Sequence, residues 1–248
     1  MAVLVVPTLQ AMIDIYSLST VGGDRSERFL TYVDACRAGE RLHGYNPMTT
    51  KPVAEVLERM ATLDAERLLL DAGSETLEIL GVDDDIELFI SVTAPGIWTD
   101  RQATAIDHAV APRHFGELLL WFDDPLDSLD IRTAAIEQTV RVVWWARRHS
   151  QPKLDEIAYC EGLAGALAGC HGVPSGVAAE TVEVLGEDAS RATAVAYLFG
   201  DESARHLGYP PLGLDDNEGR NHSIAAINTT LLTTSTRDVA RETLRNST

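Results

Sequence analysis

The 248 residues carry 38 acidic against 20 basic side chains, a formal net charge of -18 that repels nucleic-acid phosphate and anionic membrane and sets both aside as partners. Hydrophobic residues at 45% and charged residues at 23% are globular proportions, in a chain long enough to bury a core without a covalent staple. Three cysteines, Cys36, Cys160 and Cys170, without a CxxC pair argue against a disulfide framework or zinc finger and point to a cytoplasmic chain.

The N-terminal MAVLVVPTLQAMIDIYSL is apolar, but no Lys or Arg precedes its apolar run and Asp14 interrupts it, so it reads as neither signal peptide nor membrane span. AVLVV (2–6), ELFISV (87–92) and ELLLWF (117–122) are short apolar runs bounded by Asp, Gly or Pro, as buried strands are. RLLLD (67–71) is open between a strand and part of one amphipathic helix, DAERLLLDAGSETLEIL. Helices are expected at 26–42, at 51–63 with Pro52 near the start, and at 99–110 with Thr99 as a candidate cap.

From residue 128 the hydrophobic period becomes helical. LDIRTAAIEQTVRVVWWARRH (129–149) sets Ile131, Ala135, Val140, Val143 and Trp144 on one side. Further helices are expected at 152–170, 175–186, 188–207 and 216–232, with breaks at Gly172 and Pro174, at Gly186, and from Gly208 to Gly213. The expected fold class is α+β or α/β: a mixed region with a small sheet (1–127), a helical bundle region packed on it in one compact domain (128–235), and a polar tail (236–248) that could form a loose terminal helix.

Two constellations invite chemistry. In DHAVAPRHFGE, Asp107, His108, His114 and Glu117 crowd the passage from a helix into a strand, where α/β proteins often keep general acids and bases. In GDESARHLGYPPLGLDDNEGRNHSI, Glu202 and His206, then Glu218 and His222, each stand four apart, on one helix face. Facing each other, the two pairs would offer two carboxylates and two imidazoles to a divalent or transition metal ion. Helix-terminus electrostatics explain each pair equally well without a metal.

Other stretches carry weaker signals. Asp123, Asp124 and Asp127 form a DDxxD that resembles, over five residues, the magnesium motif of prenyl-diphosphate and terpene enzymes, with no matching second motif downstream. The same residues make a turn with Asp127 or Ser128 as helix cap. CEGLAGALAGCH (160–171) strips a helix of side chains, so another helix, a subunit or a flat cofactor should lie against its backbone. Arg147, Arg148 and His149 after Trp144 and Trp145 could hold an anion or simply end a helix. LLLDAGSETLEIL has one glycine, too few for a phosphate loop, and RLHGYNPMTTKP (41–52) is suited to lining a pocket.

Together these readings anticipate a small-molecule enzyme with a His/carboxylate site where the sheet meets the helices, its cofactor unknown unless a metal ion. Asp107, His108, His114 and Glu117 are the catalytic candidates, and Glu202, His206, Glu218 and His222 the metal candidates. The alternative is a non-catalytic homo-oligomeric or partner-binding protein using its acidic surface and the Gly/Ala helix as an interface.

Overall fold

A computed structural model describes residues 2–18, 25–42, 45–49, 53–83, 85–94, 101–123, 127–148 and 150–245. Three strands form a parallel sheet of order β1-β2-β3: β1 (Val3–Val5), β2 (Ile86–Thr93) and β3 (Phe115–Trp121). Val3 lies opposite Ile86, and the β2 to β3 register runs from Glu87 opposite Phe115 to Thr93 opposite Trp121. A parallel sheet is covered on both faces, and β2 accordingly is buried almost throughout. The α/β character expected from the sequence is therefore present, with a small N-terminal sheet followed by helices.

Before β2 come α1 (Leu9–Ser17), α2 (Ser26–Arg37), α3 (Val53–Thr62) and α4 (Ala65–Leu80). The apolar N-terminal run thus supplies one short strand and then a helix, α1, which pattern alone does not separate from it. The ambiguous RLLLD lies inside α4. Leu69, Ala72, Gly73, Thr76, Leu77 and Leu80 are buried at three- and four-residue intervals, which is the period of a helix and not of a strand. Between β2 and β3 lies α5 (Arg101–Val110). Thr99 falls outside the described residues, so the expected cap is not visible.

The remaining helices are α6 (Ser128–Ala146), α7 (Leu154–Leu167), α8 (Gly176–Leu185), α9 (Arg191–His206), α10 (Glu218–Leu231) and α11 (Thr236–Arg245). Asp127 caps α6, accepting from the backbone N–H groups of Leu129 and Asp130, while Asp130 reaches back to the Asp127 N–H. α6 is the central element. It packs on β3 and α4 on one side and on α7 on the other, and from Gln138 to Trp145 every residue is buried. Among the described residues no helix is long and apolar enough to cross a membrane.

The side-chain-poor stretch of α7 is occupied by α10. A Cβ on Gly162 would stand 2.6 Å from the Ser223 carbonyl oxygen, and one on Gly165 would meet Ile224 at 2.5 Å. Of the three possible occupants of this stripe, another helix of the same chain is the one present, so at Gly162 and Gly165 it is not free to serve a second subunit. The close approach has a consequence for chemistry, because it carries Arg220 of α10 over Glu161 of α7.

Candidate functional site

α5, β3, α6, α7, α9 and α10 line an open-mouthed cavity of about 350 Å³, within the size range of small-molecule sites. Its sheet wall is Leu119 and Trp121 of β3, which alternate with the buried Leu118 and Leu120 on the opposite face. α5 brings Arg101 and His108. The Arg101 guanidinium lies 4.9 Å from the Trp121 ring centroid and is paired with Asp123. Phe199 and Asn217 come from the far side.

The floor is a quartet of charges from three helices. Arg141 of α6 donates from Nε to Glu161 Oε1 at 2.6 Å and from Nη2 to Glu161 Oε2 at 2.7 Å, a two-pronged grip, and also reaches Glu137 at 3.3 Å. Arg220 bonds Glu137 at 2.6 Å and Glu161 at 3.4 Å. The Glu161 side chain is only 2% exposed. Burial works against its charge, but the Arg141 and Arg220 guanidiniums hold its carboxyl below the usual carboxylate range. Burial likewise works against the charge on Arg141, and Glu161 and Glu137 more than reverse it. Four ionised groups are thus fixed in one arrangement by one another.

Beside this floor the structure brings together two of the four catalytic candidates. His108 Nε2 lies 3.5 Å from Glu117 Oε2, with side chains 10% and 8% exposed, and Arg113 approaches the same oxygen at 3.3 Å. Burial pushes the Glu117 carboxyl upward, yet His108, a hydrogen bond from Ser91 and the Arg113 charge hold it below the ordinary range. Thr93 Oγ1 is buried without a hydrogen-bond partner, whereas the buried Ser91 hydroxyl faces Glu117. All three belong to the sheet face that carries Leu119 and Trp121, by alternation along β3 and register with β2.

The other two catalytic candidates stand apart from it. Asp107 faces outward and pairs with Arg191 at 2.5 Å, and His114 is exposed. Neither lines the cavity.

The four metal candidates do not gather. Glu202 and His206 are exposed on the last turns of α9. Glu218 and His222 turn instead to Ser175, the N-cap of α8: the Ser175 hydroxyl donates to Glu218 Oε1, and the Ser175 N–H donates to His222 Nδ1 at 3.1 Å. Among the described residues no three His, Cys, Asp or Glu side chains come together as a metal-holding group. The physical reason is that i and i+4 spacing fixes a face but not what that face meets, and α8 takes the face of α10 that the expected metal would have needed.

The minor signals resolve in the same way. Asp123 pairs with Arg101, Asp127 caps α6, and Asp124 lies outside the described residues. Arg148 is internal, 2.7 Å from Glu156 and stacked 4.0 Å from the Trp144 ring centroid, while His149 lies outside the described residues. In the 41–52 stretch, Leu42 and Tyr45 are core residues and Arg41 pairs with Glu87; His43, Gly44, Thr50, Lys51 and Pro52 lie outside the described residues.

Sequence reasoning missed Arg141, Glu161, Glu137 and Arg220. A signal existed for two of them. Arg141 interrupts VRVVWW and Glu161 interrupts CEGLAG, and a charge inside an apolar run is seldom buried unless paired. No protein-family model matches the chain, and no curated protein or solved structure is significantly similar to it.

The depressed carboxyl of Glu117 sets a pH dependence. A carboxylate whose folded pKa lies below its unfolded value contributes stability above the ordinary carboxylate range, and that contribution is lost as pH falls through the folded value. The stability advantage of the wild type over Glu117→Gln, from urea titrations, is therefore expected to shrink as pH falls from about 6 to about 3. An advantage constant across that interval would show that Glu117 gains nothing from its neighbours as an anion.

Proposed function

We propose that the chain is a small-molecule enzyme in which His108 transfers a proton to or from a ligand held in the cavity above the Arg141/Glu161 floor. The observation that carries the reading is that His108 lines this cavity while its Nε2 is backed by the buried Glu117 carboxylate at 3.5 Å. A carboxylate behind an imidazole fixes the ring's orientation. Glu117 is thus a positioning residue, and His108 is the group that meets the ligand. Trp121 and Phe199 supply apolar walls for part of a bound ligand. Asp107 and His114 have no part in the reading.

Incubation of the full chain with mixtures of small organic acids, esters, amides and phosphate esters, followed by NMR, tests it. A compound consumed by the wild type should be consumed about 100-fold or more slowly by His108→Asn at unchanged melting temperature, the usual range for loss of a general acid or base. Equal consumption by the two proteins would remove His108 from the chemistry. Compounds that bind in the cavity and are never consumed would make the chain a non-catalytic binder.

A further inference from the structure

We infer that the cavity takes a small organic oxyanion, a carboxylate or a phosphate monoester with a flat apolar body, and that Arg141 and Arg220 grip its oxygens. The inference rests on the same cavity as the acid/base reading and adds the class of molecule it receives.

Hydrogen-bond supply and demand carry it. A guanidinium has five N–H donors in a fixed fork. Arg141 spends Nε and Nη2 on Glu161 and Glu137, and Arg220 spends Nε and Nη2 on the same two carboxylates. Among the described residues neither arginine donates from Nη1, although both line the cavity. Each fork is therefore clamped along one edge with its outer nitrogen unspent. Gln138, buried on α6 at the same wall, adds an amide. An acceptor-rich group meets these donors without any rearrangement of the floor, because Glu137 and Glu161 already hold both guanidiniums in place. A cationic group offers them no acceptor, and a neutral carbonyl accepts without the charge assistance that strengthens the bond. The apolar body follows from Trp121 and Phe199, which face a ligand anchored on the floor.

The probes are phenylacetate, phenyl phosphate, the neutral phenylacetamide and inorganic phosphate, titrated calorimetrically into the full chain. At least one organic anion is expected to bind about 10-fold or more tightly than phenylacetamide, with carboxylate or phosphate preference naming the source. Arg220→Lys keeps the charge but loses the fork, and should weaken that anion about 10-fold. Should this variant fold poorly, the comparison among ligands on the wild type stands alone. Phenylacetamide binding as tightly as both organic anions would overturn the inference, as would no binding of any probe up to about 10 mM. Inorganic phosphate matching either organic anion would overturn the role of the aromatic wall. The wild type separates the two ideas: anion binding by a wild-type chain that consumes nothing keeps the oxyanion site and sinks the enzyme, whereas His108-dependent turnover of a neutral compound without anion binding does the reverse.

Discussion

Glu161→Leu is expected to lower the free energy of unfolding by about 3–5 kcal/mol, since it leaves the Arg141 guanidinium buried without the carboxylate that grips it through two nitrogens. The Glu161 side chain is 2% exposed and that of Arg141 11%, so water takes over the lost partner less fully than it does for a surface pair. Leu is close to Glu in volume, which keeps the packing loss small and the electrostatic loss visible. The companion variant Arg141→Met/Glu161→Leu removes both charges and leaves Arg220 with Glu137, a pair at 2.6 Å. It should recover most of the loss, to within about 1–2 kcal/mol of the wild type, because an apolar pair of similar size often replaces a buried ion pair without penalty. Urea titrations with unchanged slopes measure both effects. A Glu161→Leu cost under about 1 kcal/mol would mean that the cavity hydrates the floor and that the quartet is not a buried assembly. Recovery in the double variant, accompanied by loss of anion binding, would separate what the quartet does for the fold from what it does for the site.

How much of this was legible in the residues follows from the range of each signal. The strands at 2–6, 87–92 and 117–122 and the helices after 128 declare themselves through local period, and β1 to β3 and α6 to α10 lie where that period puts them. The bare helix face at 160–171 announces a close neighbour, and the neighbour is α10. His108 and Glu117 were visible as a dense titratable stretch between helix and strand, although the same density drew in Asp107 and His114, whose side chains leave the other way. Local spacing could not reveal the quartet. Glu137 and Arg220 stand 83 residues apart, and what joins them is the glycine contact between α7 and α10 rather than any motif. The repeated Glu and His pairs failed for the complementary reason. Their regularity is local, while a metal site is a statement about which faces meet.

Gly200→Ala is the substitution expected to disturb the cavity without touching any residue that lines it. Gly200 interrupts α9 at φ 82° and ψ 175°, a region essentially closed to residues with a Cβ. The kink lets the chain turn back on itself: the Asp201 N–H donates to the Leu214 carbonyl at 2.9 Å, and the Asp201 carboxylate accepts from the Leu212 N–H at 2.7 Å. A Cβ at 200 would stand 2.5 Å from the Asp215 carbonyl oxygen and 2.9 Å from the Asp216 Cα, both backbone atoms that cannot rotate aside. Residues 215–217 must then move outward, and with them Asn217 and the start of α10 that carries Arg220. Strain of about 1–3 kcal/mol from the dihedral, with a comparable contribution from the displaced backbone, gives an expected destabilisation of about 2–5 kcal/mol. Gly208→Ala supplies the control. Gly208 also has a positive φ, 75°, but nothing lies within 4 Å of its Cβ position, so only the dihedral contributes, about 1–2 kcal/mol. The difference between the two variants combines the steric push on Asp215 with the more strained dihedral at Gly200. If the position of residues 215–217 is what sets Arg220 in place, Gly200→Ala should weaken oxyanion binding while Gly208→Ala leaves it unchanged. Equal affinities in the two variants would show that α10 is held by its seat on α7 alone.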